Sequence, residues 1–300
     1  MNEISFSVAS LVNIKIFGNL TKLNYDFIKF IYSDFDKPIK DHKFDIIVEI
    51  TDKIPSIEKN VKLGKDAYFK ENCLVLSSGH FYFRKGNTLH IGVPSKVKRG
   101  RVPFKRSTAG RHITDEILEP ILGLALLENG AAFLHAASFV EGNVAKVIMG
   151  WRGTGKTNSI LKEFPKKDIW SDDLTIIDKD GYIHPYRRPI RIYSYNIDLL
   201  DKNYIKNNQL KLKSLFVPPW RPVHYLPLAK IDSRLKIKLG ELIYLNNDKN
   251  NNIAELSEQV MCFEQIFFED TKIMLSMANI FNNKLTTKDI VNSALLSMDA

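Results

Sequence analysis

The stretch Val144–Phe164, VAKVIMGWRGTGKTNSILKEF, decides how this chain is read. An apolar run of strand length, VAKVIM, leads directly into GWRGTGKT (Gly150–Thr157), and a helical run, TNSILKEF, follows at once. The middle segment fits G-x-x-x-x-G-K-[ST], with a further glycine at Gly153. It also has the strand before and the helix after that a phosphate loop requires. Glycines let successive backbone N–H groups turn toward one centre, and the helix N-terminus adds the positive end of its dipole. On this reading Gly150, Trp151, Arg152, Gly153, Thr154, Gly155, Lys156, Thr157 and Asn158 cradle a nucleoside triphosphate. Lys156 reaches the outer phosphates and the Thr157 hydroxyl ligates Mg²⁺.

The flanks narrow the chemistry. WSDDLTIID (Trp170–Asp178) reads as a strand that ends in the turn Lys179-Asp180-Gly181, and its acid pair Asp172 and Asp173 follows Lys156 by 16 and 17 residues. So short a separation predicts that their strand lies beside the one feeding the loop. Two adjacent carboxylates can then divide the work, one accepting a hydroxyl proton while the other holds the metal. FLHAASFV and VAKVIMG form a hairpin about Glu141-Gly142-Asn143, which sets His135 opposite the neighbourhood of Gly150. Two readings of His135 stand: a satisfied core histidine, or a site residue.

The rest of the chain has two grammars. FDIIVEI (Phe44–Ile50) and the three runs within Cys73–Val93 read as strands, and Asn24–Ser33 as a helix. Ser95–Arg111 carries seven basic residues and no acidic one, broken by Gly100, Pro103 and Gly110. It reads as a linker, which places a small strand-rich α+β domain at 1–110 and a phosphate-loop domain at 111–300. Ile113–Gly130 is helix-like, with Thr114 as a candidate N-cap, a regular start delayed to Pro120 and a glycine stop at Gly130. ELIYLNN (Glu241–Asn247) reads as a strand and NNDKNNN as loop; Ala254–Met277 and Thr287–Met298 have helical periodicity. The expected class is therefore α/β.

Composition agrees with a globular protein of 300 residues: 44% hydrophobic and 26% charged. Lys and Arg number 43 against 34 Asp and Glu, and the resulting +9 favours anionic partners. Two cysteines, Cys73 and Cys262, make neither a zinc site nor a disulfide framework. The N-terminus lacks the pattern of a signal peptide, and the most apolar stretch, Ile117–Val140, holds too many polar residues to span a bilayer. The expectation is a soluble cytoplasmic protein with no membrane partner. Thin aromatic interleaving of the basic run weighs against nucleic acid.

The set LHAAS (Leu134–Ser138), GWRGTGKT and SDD (Ser171–Asp173) resembles the HPr kinase/phosphorylase family, which shares a nucleotide-binding fold with phosphoenolpyruvate carboxykinase. The resemblance spans about 113–180 and extends more loosely to 247 through LKIKLGELIYLNN. It implies an ATP- and Mg²⁺-dependent kinase with a small N-terminal domain. In it Asp172 is the catalytic carboxylate that takes the proton of an attacking serine hydroxyl, and His135 assists it beside the transferred phosphate. Asp173 and Thr157 are implied near the metal, and family members assemble as homo-oligomers. Asn158 stands where such kinases carry an acidic residue, and RRPIRIY (Arg187–Tyr193) occupies the place of their downstream signature. The first hundred residues resemble nothing in the family. These departures point away from HPr itself, toward a protein, peptide or small-molecule hydroxyl as acceptor; relatives include kinases that phosphorylate the serine of a peptide precursor.

Positive charge for the transferred phosphate is expected from Arg152, fixed within the loop, with Arg187, Arg188, Arg191 and Arg221 as further candidates. Two alternatives make different demands. A P-loop ATPase or GTPase would need Asp270, at the end of FEQIFFED, as its second acid, although that segment reads better as helix. A non-catalytic nucleotide-binding regulator would depend on the basic run Lys96–Arg111.

Overall fold

The computed structural model describes residues 2–33, 35–38, 43–53, 61–63, 67–70, 72–76, 78–95, 112–150, 153–163, 167–193, 196–201, 206, 213–217, 221–228, 231–232, 234–245 and 270–298. The fold is mixed α/β with strand predominant. The chain divides into two compact units, 1–129 with 265–284, and 130–264 with 285–300. The basic run Lys96–Arg111, the loop NNDKNNN and residues 254–269 of the expected C-terminal helix lie outside the described residues. Among the described residues no helix is long and apolar enough to cross a membrane.

The first unit is built on an eight-stranded sheet. Its strands are β1 (Asn2–Val8), β2 (Val12–Gly18), β3 (Ile46–Ile50), β4 (Val61–Leu63), β5 (Ala67–Lys70), β6 (Cys73–Leu76), β7 (Phe81–Lys85) and β8 (Thr88–Val93), in the order β1-β2-β3-β8-β7-β6-β5-β4. The three strands read within Cys73–Val93 are β6, β7 and β8. Alternate residues Ile14, Ile16, Ile46, Val48, Ile50, Leu89, Ile91 and Val93 are buried, the period of two expected of a strand with one packed face. Helix α1 (Lys22–Ile31) starts at Thr21, whose hydroxyl accepts from the Asn24 N–H, and buries Ile28 and Ile31.

A π-helical run, His112–Leu118, precedes α2 (Glu119–Glu128). The regular helix thus starts beside Pro120 as expected, but Thr114 is not its cap. Thr114 sits inside the π-helical run, and its hydroxyl donates to Asp115. Helix α2 is buried from Glu119 through Leu127, an apolar cylinder rather than an amphipathic one. It packs on β2 and on α3 (Asp270–Met277). For that reason 112–129, assigned from the sequence to the second domain, belongs with the first unit, and the division falls at Gly130 instead of at the linker.

The second unit contains β9 (Ala131–Leu134), β10 (Ala136–Glu141), β11 (Val144–Gly150), α4 (Lys156–Glu163), β12 (Asp168–Ser171), β13 (Thr175–Asp178), β14 (Tyr182–His184), β15 (Ile190–Ile192), β16 (Lys213–Val217), β17 (Arg221–Leu226), β18 (Ile237–Leu245) and α5 (Thr287–Leu296). Seven strands form a sheet ordered β12-β10-β11-β18-β14-β13-β9, and β15, β17 and β16 form a second. Helix α5, opened by a Thr286/Asp289 capping box, packs on β9 and β13. A cluster of Ile148, Ile160, Leu161, Ile169, Ile190 and Leu226 fixes α4 against the strands.

Two expectations about this sheet need correction. WSDDLTIID is two strands, β12 and β13, with the acid pair in the break between them. The acid-bearing strand does not adjoin the loop strand: β10 pairs with both β11 and β12 and stands between them, while the other edge of β11 is taken by β18 in parallel. The tight β10–β11 hairpin had already claimed the edge that β12 would have needed.

Candidate functional site

The site arises from one interrupted ribbon. Leu134 faces Thr175 in the β9–β13 pair, and Ser138 faces Ser171 in the β10–β12 pair. Four residues forward on one side match four residues back on the other, so both pairs share a single register. Between them the ladder opens, with His135 on one side and Asp172 and Asp173 on the other. The opening is pinned from below by a buried hydroxyl chain. Ser138 Oγ lies 2.8 Å from Ser171 Oγ, Ser171 meets Thr175, and the Thr175 hydroxyl donates to the Ala136 carbonyl at 3.0 Å.

Strand direction brings the rest to the same edge. Because β10 is antiparallel to both β11 and β12, the carboxyl ends of those two strands lie next to the start of β10. Ala136 pairs with Met149 across the two-residue turn Gly142-Asn143, so His135 stands opposite Gly150, as the hairpin reading required. Carboxyl ends of strands are where α/β sheets hold ligands.

The loop itself has the expected parts. Gly150 ends β11, and a Cβ there would lie 2.4 Å from Thr154 Oγ1 and 2.9 Å from the Leu245 carbonyl. Gly153 and Gly155 have φ of 86° and 100°, values that side chains disfavour. Lys156 opens α4, with Thr157 and Asn158 half-buried in its first turn. Trp151 and Arg152 lie outside the described residues. The Lys156 ammonium is turned inward: Nζ donates to the Gly150 carbonyl at 2.6 Å and lies 3.3 Å from His135 Nε2. Burial lowers its pKa, against the opposing charges of Asp173 and Asp172.

The acid pair is differentiated. The Asp172 carboxyl is pushed up to about 7 by burial and by the neighbouring Asp173 charge, against hydrogen bonds from the Thr157 hydroxyl and the Arg191 backbone N–H. Its Oδ1 is buried with no hydrogen-bond partner among the described residues. Asp173 is 62% exposed, and its Oδ1 lies 3.1 Å from His135 Nε2. Crowding by the surrounding protein works against its ionisation, but the His135 hydrogen bond and the charges of His135, Arg191 and Lys156 outweigh this and hold it at about 2. His135 thus partners Asp173, whereas the resemblance implied that it assists Asp172, and the Thr157 hydroxyl partners Asp172.

Among the described arginines, Arg191 on β15 is the one whose charge acts on both acids. Arg187 is committed elsewhere, 2.7 Å from Asp168 in a partly exposed ion pair. Nothing is described of the Arg221 side chain. Asp270 lies in helix α3 of the first unit, and the rest of FEQIFFED lies outside the described residues. The hydroxyl chain and the Arg191 backbone donor had no sequence signal, because both depend on strand register. No group of three or more His, Cys, Asp or Glu arranged for a metal occurs among the described residues. Mg²⁺ at phosphate sites ordinarily takes only one or two protein carboxylates.

Comparison with protein-family models gives no match, and comparison with curated proteins gives none either.

Proposed function

We propose that the chain is a kinase that uses ATP and Mg²⁺ to phosphorylate a hydroxyl, with serine of a protein or peptide as the acceptor class, on a nucleotide-binding fold of the HPr kinase type. The observation that carries this reading is the convergence at one sheet edge of a glycine loop, its lysine, a histidine and two carboxylates in different states. Lys156 is 3.3 Å from His135, which is 3.1 Å from Asp173. An exposed, ionised carboxylate held by a histidine beside the phosphate lysine is open to an acceptor hydroxyl from solvent.

On this reading the acids take the reverse of the roles that the resemblance implied. Asp172 and Thr157 would hold Mg²⁺: a buried carboxylate oxygen with no hydrogen-bond partner among the described residues, beside a hydroxyl, is a hard oxygen pair that suits that ion. When bound, that ion neutralises charge on the phosphate oxygens. Asp173 faces solvent, so an incoming hydroxyl reaches it; the carboxylate first orients that hydroxyl, then takes its proton once bonding to phosphorus has acidified it, as ADP leaves. His135 orients Asp173 through its Nε2. Lys156 exchanges the Gly150 carbonyl for the outer phosphates, and Arg191 adds positive charge beside the acids.

The test is incubation of purified protein with γ-labelled ATP and Mg²⁺ in extract of the source organism. A labelled acceptor is expected; release of free phosphate alone would indicate an ATPase, and neither product a nucleotide sensor. Asp173→Asn should abolish labelling while ATP binding persists, and Lys156→Ala should weaken ATP binding by about tenfold or more. Full labelling by Asp173→Asn would refute the proton-acceptor role.

A further inference from the structure

The sheet of the first unit has a second face that the nucleotide reading leaves unused. Across β2, β3, β8 and β7 its side chains fall into two rungs. Lys15 pairs with Ile47, Ile47 with His90 and His90 with Phe83; two residues along, Phe17 pairs with Glu49, Glu49 with Gly92 and Gly92 with Phe81. A solvated sheet face is normally polar. This one carries a run of aromatic rings instead, and with Phe44 they line a cavity of about 440 Å³. Small-molecule sites occupy roughly 300–1,000 Å³.

The rings are arranged for stacking. His90 lies on Phe83 at 4.6 Å and 12°, and Phe83 meets Phe81 at 6.3 Å and 16°, so three rings are nearly parallel. Gly92 permits this, since a Cβ there would lie 2.0 Å from the Phe81 ring. Polar groups sit at the edges. Lys15 Nζ is 5.6 Å and 5.7 Å from the Phe17 and Phe44 ring centres and is paired with Glu3 at 2.9 Å. Glu49 is exposed, and no ion pair engages it among the described residues. Burial, then Lys85, lowers the His90 pKa against the pull of Glu49, which favours a neutral imidazole.

We propose that this cavity binds an uncharged heteroaromatic ring of one or two fused cycles, stacked on the Phe83–His90 pair with an N–H donor directed at Glu49. A purely hydrocarbon occupant would cover the Glu49 carboxylate without replacing its water. A nucleic-acid strand would need free cations for its phosphates, whereas Lys15 is already neutralised by Glu3 and Glu49 repels them. Every lining residue belongs to the first unit, so the inference does not rest on the kinase reading.

The experiment uses the full chain with ¹³C-labelled histidine, in a Lys156→Ala background so that the phosphate loop does not compete. The probes are guanosine and N-acetyl-tryptophanamide. The His90 ring signal, identified by its loss in His90→Gln, should shift and saturate with each probe. Glu49→Gln, at an exposed position, should weaken binding about tenfold with an unchanged unfolding midpoint. Phe83→Leu, which keeps apolar volume but removes the ring, should weaken it by roughly tenfold or more. Absence of a shift would overturn the proposal, as would equal affinity in Glu49→Gln or an equal response to N-acetyl-leucinamide. A ten-nucleotide RNA binding more tightly than guanosine, with steep salt dependence, would also overturn it.

Discussion

Asp172→Asn should make the metal-free protein more stable. The folded protein raises this carboxyl from 3.8 to about 7. A raised carboxyl binds more protons folded than unfolded, so stability is greatest below pH about 4 and falls as pH rises to about 7, where the cost is complete. Some three units at 1.36 kcal/mol each set an upper bound of about 4 kcal/mol, and relaxation of the unfolded and folded chains brings the expectation to about 2–4 kcal/mol. Asparagine keeps the shape and an acceptor for the Thr157 hydroxyl and the Arg191 N–H, but removes the buried charge. Thermal unfolding at pH 8 with a chelator should show a midpoint about 5–10 °C higher than wild type for the second unit. At pH 4 the difference should vanish. Mg²⁺ with a non-hydrolysable ATP analogue should narrow the gap at pH 8 by stabilising the wild type more. A variant no more stable than wild type at pH 8, or one equally stabilised at pH 4 and pH 8, would refute the reasoning.

Other changes test the supports around the site. Ser138→Ala breaks the hydroxyl chain to Ser171 and Thr175 and should cost about 1–2 kcal/mol in urea unfolding; a neutral result would show that the chain does not pin the opening. Asp178 accepts from the Asp180 and Tyr182 N–H groups at 3.0 Å and 2.9 Å and from His184 at 2.9 Å. Burial alone would raise its pKa, but the His184 and Tyr182 hydrogen bonds lower it, so its stabilisation exists above its unfolded pKa and is lost as pH falls below that. Asp178→Ala should therefore cost about 2–4 kcal/mol at pH 7 and much less near pH ~3, read by denaturant melts at both values. Gly150→Ala places a methyl 2.4 Å from Thr154 Oγ1 and should reduce ATP binding by calorimetry while the rest of the unit stays folded; wild-type affinity would show that the loop tolerates displacement.

Much of the local structure was legible because it rests on short-range patterns. The alternation in Cys73–Val93 specifies three strands, and Pro120 marks where α2 becomes regular. The loop glycines were legible for the same reason: their backbone angles are required within a few residues of Lys156. The domain division was not, since α2 reads as a helix in either unit, and only its burial on all sides reveals that it is core to the first. The break in WSDDLTIID was also hidden. Trp170, Leu174, Thr175, Ile176 and Ile177 suit a strand, and what interrupts them is the ribbon opening opposite His135, a matter of long-range register.

By itself the amino-acid sequence determined a glycine turn between strand and helix, a lysine and hydroxyl at its end, and an acid pair close behind. These follow from local backbone geometry and residue chemistry. Which carboxyl meets the hydroxyl and which meets the histidine was decided only by tertiary structure. Adjacent residues in a chain are chemically equivalent until the packing around them separates one oxygen into the protein and leaves the other in water.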